Sequence, residues 1–439
     1  MDPHRRLFSA LLVFIILSIF FWSRPLPVSG AEPGLPADLQ ALIQEALKAN
    51  PEIKERAQIK TASEESVKPA GALDDPMFSF NILNLAADTF DFAQEEMTNK
   101  QVAISQKFPF PGKRRLRSEV AEEQARADSF VFADKRNEIR TKVIQGYWGL
   151  SLAYAGADIT ERNKQFWEQV VKVAETVYGV GRGQQADVLQ AQVELGNYLD
   201  RLLQWRQRQD SIRADLNALR SKPQKTDIPR PEPMKPRGFG LKLEDLLAQA
   251  EGQPRLKALQ ALIAKQNTAV ELARKDYYPD FNVGLAYGFR EKSPIGRERA
   301  DFFTALMSVN VPLWWGSKLN PRLREQQAKK AAAQEAYQAL LDRLAAAVKD
   351  RYAKLERLSQ QIALYDQGII PQARQAAEAS LASYQVGLLD FSRLYQNQIA
   401  AYNAELQLQQ YLKEFEENWA ELEWLVGAEL PRRPGGNRR

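Results

Sequence analysis

The stretch Phe281-Asn282-Val283-Gly284-Leu285-Ala286-Tyr287-Gly288-Phe289-Arg290 alternates strictly. Phe281, Val283, Leu285, Tyr287 and Phe289 fall on one side of an extended chain, and Asn282, Gly284, Ala286, Gly288 and Arg290 on the other. Such period-two patterning marks a β-strand with one apolar face. A second run follows a polar loop: Phe303, Ala305, Met307, Val309 and Val311 alternate with Thr304, Leu306, Ser308 and Asn310. Earlier in the chain the pattern recurs more weakly. Phe78, Phe80 and Ile82 alternate with Ser79 and Asn81, and Val102, Ile104 and Phe108 with Ala103, Ser105 and Lys107. Segments of about 9–11 residues with one apolar and one small or polar face fit transmembrane β-strands. For any single hairpin, a small soluble sheet packed on helices is the alternative. We expect strands over 77–85, 100–108, 280–290 and 301–311. Phe281, Val283, Leu285, Tyr287, Met307 and Val309 would face lipid, and loops 86–99 and 291–300 the exterior. Four strands cannot close a barrel, and lipid tolerates no open sheet edge. Strands that span a membrane therefore require several copies of the chain, and three copies would supply twelve.

The strands belong to a tandem duplication. Tyr178-Gly179-Val180-Gly181 matches Tyr384-Gln385-Val386-Gly387 at an offset of 206, and Gln192 matches Gln398 at the same offset. Asp75-Pro76-Met77-Phe78 matches Tyr278-Pro279-Asp280-Phe281 at 203, as Phe108-Pro109 matches Val311-Pro312. A period this long is a domain-scale duplication rather than a solenoid repeat. The expected layout is a targeting segment 1–31, a first repeat 32–222, a connector 223–240, a second repeat 241–428 and a basic tail 429–439. The connector carries Pro223, Pro229, Pro231, Pro233 and Pro236, which favour extended chain over helix.

Each repeat continues from its strands into long helices, expected over 112–178 and 184–220, then 315–384 and 390–427. From Gly112 to Tyr178 there is no proline, and a helix of that span would run roughly 100 Å. In the second repeat, Pro321 near the start and Pro371 near the end are sites for a kink. Ile139, Val143, Tyr147, Leu150 and Tyr154 step by four and three, the seam of a coiled-coil-like assembly. The fold class is thus mainly α with membrane β.

Composition removes other readings. The chain has 60 basic and 55 acidic residues, interleaved, for a net charge of +5, and no clustered basic face suggests nucleic acid. Mean hydropathy is −0.44, too low for a polytopic helical membrane protein. With no cysteine, and His4 as the one histidine, thiolate chemistry, histidine bases and Cys/His metal sites are excluded for the mature chain. The carboxylate pairs Asp74-Asp75, Glu95-Glu96 and Glu416-Glu417 read as loop or helix-surface groups. No enzyme activity, cofactor or bound metal is expected. At the N-terminus, His4, Arg5 and Arg6 precede the apolar run 7–22, then Pro25, Pro27, Ser29, Gly30 and Ala31. This reads as a signal peptide cleaved near Gly30 or Ala31, with an uncleaved anchor as the alternative. No cysteine follows to carry a lipid.

The paired Tyr-x-x-Gly turns carry a family resemblance. They are followed by Val188-Leu189-Gln190-Ala191-Gln192 and Leu394-Tyr395-Gln396-Asn397-Gln398. The strand-to-helix junctions Phe108-Pro109-Phe110-Pro111-Gly112-Lys113 and Val311-Pro312-Leu313-Trp314-Trp315-Gly316 complete the pattern. Over nearly all its mature length the chain resembles TolC-like outer membrane efflux proteins. The resemblance implies a homotrimer with a twelve-stranded barrel in outer-membrane lipid and an α-helical barrel crossing the periplasm. It also implies a periplasmic adaptor and an inner-membrane pump as partners. The Phe-Pro-Phe-Pro-Gly junction resembles members that serve pumps of the resistance-nodulation-division type. Pro109, Gly112, Pro312 and Gly316 would turn strand into helix. Gly181, Gly183 and Gly387 would supply positive φ at the helix tips. The aperture would involve Asp187, Tyr384, Asp390, Arg393 and Gln396. The best-known family pattern places aspartates six and nine residues after the second-repeat glycine; Arg393 and Gln396 stand there instead, while Asp187 keeps the acid in the first repeat. Asp187 and Arg393 are therefore candidates for an ionic latch, with Tyr384 hydrogen-bonding across the same tip; ungated surface charge is the alternative. The rival function is a periplasmic coiled-coil scaffold anchored in the inner membrane by 7–22, which leaves the duplicated hairpins unexplained.

Overall fold

The computed structural model describes residues 34–432. The signal peptide, its anchor alternative and the tail from 433 onward lie outside the described residues. The first repeat comprises α1 (Ala37–Ala49), α2 (Pro51–Ala70), β1 (Met77–Leu83), β2 (Asn99–Phe108), α3 (Lys113–Gly179) and α4 (Gln185–Leu219). The second comprises α5 (Leu243–Ala250), α6 (Pro254–Lys275), β3 (Phe281–Phe289) and β4 (Phe302–Val309). It continues through a π-helical turn (Trp315–Leu319), α7 (Asn320–Leu364), a second π-helical turn (Tyr365–Ile369), α8 (Ile370–Gln385) and α9 (Phe391–Val426). The duplication extends to helix caps. Asn50 accepts from the N–H groups of Glu52 and Ile53 ahead of Pro51, and Gln253 accepts from Arg255 and Leu256 ahead of Pro254. A side-chain acceptor and a first-turn proline both favour helix initiation.

Helix α3 runs unbroken for 67 residues. The span 315–384 does not. The N–H of Asn320 bonds back to Trp315 and that of Ile370 to Tyr365, each five residues away rather than four. A proline follows each of these, Pro321 and Pro371. Proline lacks the N–H for a normal helical bond, and its ring crowds the carbonyl four residues back. One widened turn relieves that crowding.

The strands form one antiparallel sheet in the order β1-β2-β3-β4. Strands β1 and β4 are shorter than expected. Asn84, at φ +50, turns the chain out of β1, and beyond β4 the Asn310 side chain accepts from the Asp280 N–H. The β2–β3 pairing joins the two repeats and puts Ile104 beside Leu285 and Phe108 beside Phe281. With Phe78 beside Ile104 and Val283 beside Met307, most of the large apolar residues of the four strands share one face, while Met77, Leu83, Phe302 and Leu306 fall on the other.

Two apolar clusters hold the helices. The larger joins α1, the middle of α3, the end of α4, the connector, α7 and α9, with Tyr147, Leu216, Ile228, Leu358 and Trp419 buried. The smaller lies toward the helix tips around Trp167, Tyr198, Phe391, Leu394 and Tyr402. The tail expected at 429–439 is not set apart at its start. Leu430 is buried, and the Arg432 side chain, 3% exposed, pairs with Glu416 at 2.9 Å and Glu423 at 3.1 Å. Glu416 accordingly does not sit on a helix surface. Burial raises its pKa against the pull of Arg432 and Arg237. Periodicity missed this because the partners come from the connector and the chain end. Among the described residues, no helix is long and apolar enough to cross a membrane.

Candidate functional site: the helix tips and the sheet face

At the first tip, Gly181 takes φ +74, its N–H bonds to Tyr178 and that of Arg182 bonds to Val177. This closes α3 and reverses the chain into α4. At the second tip, Gly387 takes φ +78, with its N–H on Tyr384 and that of Leu388 on Ser383. Glycine carries no Cβ penalty in this left-handed region. Gly183 differs from expectation because its φ is not positive. An added Cβ there would lie 3.1 Å from Val177 Cγ1, so close approach, not dihedral freedom, selects glycine.

The residues expected at the aperture separate into distinct structural positions. Tyr384 is 4% exposed, and its hydroxyl donates to Asp187 Oδ2 at 3.5 Å. Burial first, then the Asp187 charge, pushes the phenol up to about 12, so it remains a donor near neutral pH. Asp390 caps α9 by accepting from the Arg393 N–H at 2.9 Å, which turns its carboxylate toward the backbone. Arg393 and Gln396 are exposed. Among the described residues no ion pair joins Arg393 to Asp187 within the protomer; Tyr384 takes the carboxylate instead.

Above the tip lies a set of contacts that sequence reasoning missed. Trp205 Nε1 donates to Thr160 Oγ1 at 3.0 Å, and the Thr160 and Tyr402 hydroxyls are hydrogen-bonded at 3.1 Å. Gln398 Nε2 donates to Asn163 Oδ1 at 2.7 Å. Glu405 bridges Arg162 at 3.0 Å and Arg374 at 2.6 Å. These links tie the α8–α9 hairpin to the α3–α4 hairpin. The one available signal was Gln398 matching Gln192, yet Gln398 is buried and Gln192 exposed, because the two repeats occupy unlike surroundings.

At the other end of the molecule, the sheet face bears Val283, Leu285, Tyr287, Met307 and Val309 exposed and Phe281 half-buried. Phe78 and Phe303, on the same face, are 72% and 70% exposed. The opposite face carries Ser105, Asn282, Gly284, Ala286 and Ser308. Below the sheet the strand-helix junctions interlock. Gly112, at φ +91, follows Pro109 and leads into α3. Lys113 Nζ, almost fully buried, reaches Asp280 at 2.8 Å and the Tyr278 carbonyl at 3.1 Å. The Phe110 ring stacks on Tyr278 at 4.6 Å. Pro312 precedes the exposed Trp314 and Trp315, and Gly316 lies within the first π turn.

The model of the outer membrane efflux protein family matches residues 42–220 and again 247–428. The chain belongs to that family. The double match favours the channel over an inner-membrane scaffold: this is an outer-membrane efflux protein, and its family is one of ducts rather than enzymes. Solved structures share the fold. OprN, an outer-membrane channel, superposes with a TM-score of 0.77 at 15% identity over 90% of both chains. The outer membrane protein VceC of Vibrio cholerae gives 0.76 at 18% identity, covering 90% of this chain and 97% of that one. MtrE, an outer membrane channel of Neisseria gonorrhoeae solved in an open state, gives 0.72 at 17% identity over 90% of both chains. No curated protein sequence matches the efflux protein.

Proposed function

We propose that three copies of this efflux protein pair β4 of one protomer with β1 of the next to close a twelve-stranded barrel in outer-membrane lipid. The observation that carries this reading is the sheet, with its unpaired edge strands and one continuous face of exposed Phe, Leu, Val, Tyr and Met. Soluble monomers seldom leave so much apolar surface open, whereas lipid covers such a face and closure removes the edges. Trp314 and Trp315 at the foot of the sheet suit the membrane interface. Below it, α3, α4 and α7 to α9 line a duct across the periplasm. The tips at 178–187 and 384–393 form a closable aperture, where a periplasmic adaptor joins the duct to an inner-membrane pump. Conduction is passive. A signal peptide removed near Gly30 or Ala31 exports the chain, which is not lipidated.

Arg393 is the gate residue left for an acidic partner on a neighbouring protomer. Exposed ion pairs contribute about 0–1 kcal/mol each, so such a latch is soft enough for adaptor contact to release. Density-gradient separation of the two membranes with intact mass, followed by ion current from the purified trimer, tests the channel. A mature chain in the outer-membrane fraction that conducts is expected; a full-length chain in the inner membrane refutes it. Arg393→Asp is expected to change resting conductance, and an unchanged current together with unchanged pump-dependent resistance sinks the latch.

A further inference from the structure

The connector between the repeats is more than a spacer. It lies between α4 and α5 and reads Ile228-Pro229-Arg230-Pro231-Glu232-Pro233-Met234-Lys235-Pro236-Arg237 along its proline-rich part. Burial repeats there at every third residue. Ile228 is 2% exposed, Pro231 is buried and Met234 is 7% exposed, while the residues between them and Pro236 are exposed. Three residues per turn is the period of a polyproline II helix, which proline favours and which has no internal hydrogen bonds. Ile228 and Met234 belong to the large apolar cluster, so one row of this helix faces the core and two rows face outward.

The strap is fixed along its length. In the middle, the Tyr147 hydroxyl accepts from the Glu232 N–H at 3.3 Å and the Ser151 hydroxyl donates to the Glu232 carbonyl at 3.0 Å. Upstream, the Asn217 side chain donates to the carbonyls of Gln224 at 3.0 Å and Thr226 at 2.8 Å. Downstream, Arg237 Nε pairs with Glu416 at 3.2 Å. The two outward rows differ in chemistry. One carries Pro229, Glu232 and Lys235; the other carries Arg230, Pro233 and Pro236. At ~3.1 Å per residue, Pro233 stands ~9 Å beyond Arg230 and Pro236 another ~9 Å beyond that. Arg230 lies over the Tyr154 ring at 5.0 Å and pairs with Asp158. Both members of that pair are exposed, and a guanidinium has donors to spare for a second carboxylate.

A cation followed by two prolines at three-residue steps, on one face of a polyproline II helix, suits an aromatic-lined groove of the SH3 type. The prolines seat between flat rings and the cation meets an acidic group at the end of the groove. We propose that the ridge of Arg230, Pro233 and Pro236 is a docking site for a partner domain carrying such a groove. The ridge is presented already ordered, which spares the partner the cost of ordering a free peptide. An anionic polymer drawn by charge alone fits less well, because Glu232 lies beside the ridge and Asp158 already faces Arg230. The channel reading sets only the compartment, the periplasm, in which the partner is met; binding in solution does not depend on conduction.

Biolayer interferometry with the purified, detergent-solubilised protein and an isolated SH3 domain that prefers a basic residue ahead of two prolines tests the ridge, with native mass confirming assembly of each variant. Saturable binding is expected, several-fold tighter than to a free peptide of residues 224–238. Pro233→Ala and Pro236→Ala are each expected to weaken it roughly tenfold. Arg230→Gln is expected to weaken it more than Lys242→Gln, which removes the same charge outside the ridge. No binding by the intact protein, or binding that survives both proline changes, overturns the proposal. Binding that vanishes with salt and falls equally with Arg230→Gln and Lys242→Gln is charge attraction alone and overturns it as well. In cells, a benzoylphenylalanine photo-cross-linker in place of Lys235, on the neighbouring row, is expected to capture a protein containing an SH3-like fold. That adduct is expected to disappear when Pro233→Ala and Pro236→Ala are added. An adduct with a second copy of this chain, with wall polymer only, or no adduct at all refutes docking at this ridge. A protein that binds the SH3 probe yet neither conducts nor reaches the outer membrane would remove the channel reading and leave the ridge standing.

Discussion

Tyr384 and Asp187 show how a single contact reassigns a charge. The aspartate is available to an arginine by sequence position, but a buried phenol reaches it first. Tyr384→Phe removes a hydrogen bond of about 1 kcal/mol, and a small rise in resting conductance at neutral pH is expected. The pH dependence follows from the phenol standing at about 12 in the folded chain, against roughly 10 when unfolded. Its contribution is complete below pH ~10 and is lost as pH rises through ~12, because only the unfolded chain ionises readily in that window. Alkaline unfolding followed by circular dichroism should therefore be shallower in this range for Tyr384→Phe; identical curves would dissociate the phenol from stability. Lys113 carries a larger cost. Breaking a buried pair by removing one partner costs about 3–5 kcal/mol, so Lys113→Met is expected to lower the thermal dissociation temperature of the assembly markedly. Calorimetry showing no shift would mean the junction holds without the ion pair, through the Phe110–Tyr278 stack and the hydrogen bonds of Asp280 to Phe110 and Asn310.

At the scale of elements, the α3–α4 hairpin is packed through glycines that differ in kind. A Cβ on Gly156 would stand 2.5 Å from the Trp205 ring, whereas one on Gly149 would meet Ile212 at an ordinary 3.6 Å. Gly156→Ala is expected to destabilise by about 1–3 kcal/mol through overpacking and to disturb the Trp205–Thr160 bond. Gly149→Ala is expected to be neutral or to stabilise by up to about 1 kcal/mol, since glycine weakens a helix interior. Thermal melts of the pair decide it, and equal losses would show that helix contact there is indifferent to side-chain size.

For the whole molecule, the shared face of the sheet sets where each substitution is tolerated. A basic residue on the lipid face near the midplane costs about 2–4 kcal/mol, and three protomers repeat it. Leu285→Arg is expected to reduce the assembled, outer-membrane form strongly, while Asn282→Asp on the opposite face leaves assembly intact and alters ion selectivity. Membrane fractionation and reversal potentials read the two outcomes. Equal loss from both would mean that neither face meets lipid, as in a soluble sheet.

Much of the fold was legible from local pattern. Alternation at 281–289 gives a strand because side chains on extended backbone point to opposite sides. The proline-free stretch after Gly112 gives an unbroken helix because each residue can donate to the turn before it. The tip glycines announce reversals because other residues resist positive φ. The matched motifs made the duplication visible before any contact was known. Sequence also offered Pro321 and Pro371 as breaks, but only the structure converted them into widened turns and placed the second between two apolar clusters. Burial and partner choice lay beyond local reading. Glu416 reads as a surface helix residue until Arg432 and Arg237 converge on it, and Gln398 looks like its repeat mate Gln192 until Asn163 meets it. The sequence by itself determined the strands, the long helices and their repeat, since these depend on neighbours a few residues away. Only the tertiary structure decided which charges are buried, that Asp187 takes Tyr384 rather than Arg393 and which hairpin is jointed at its core boundary, since those depend on side chains brought together from as far apart as 290 positions, as in Asp134 and Trp424.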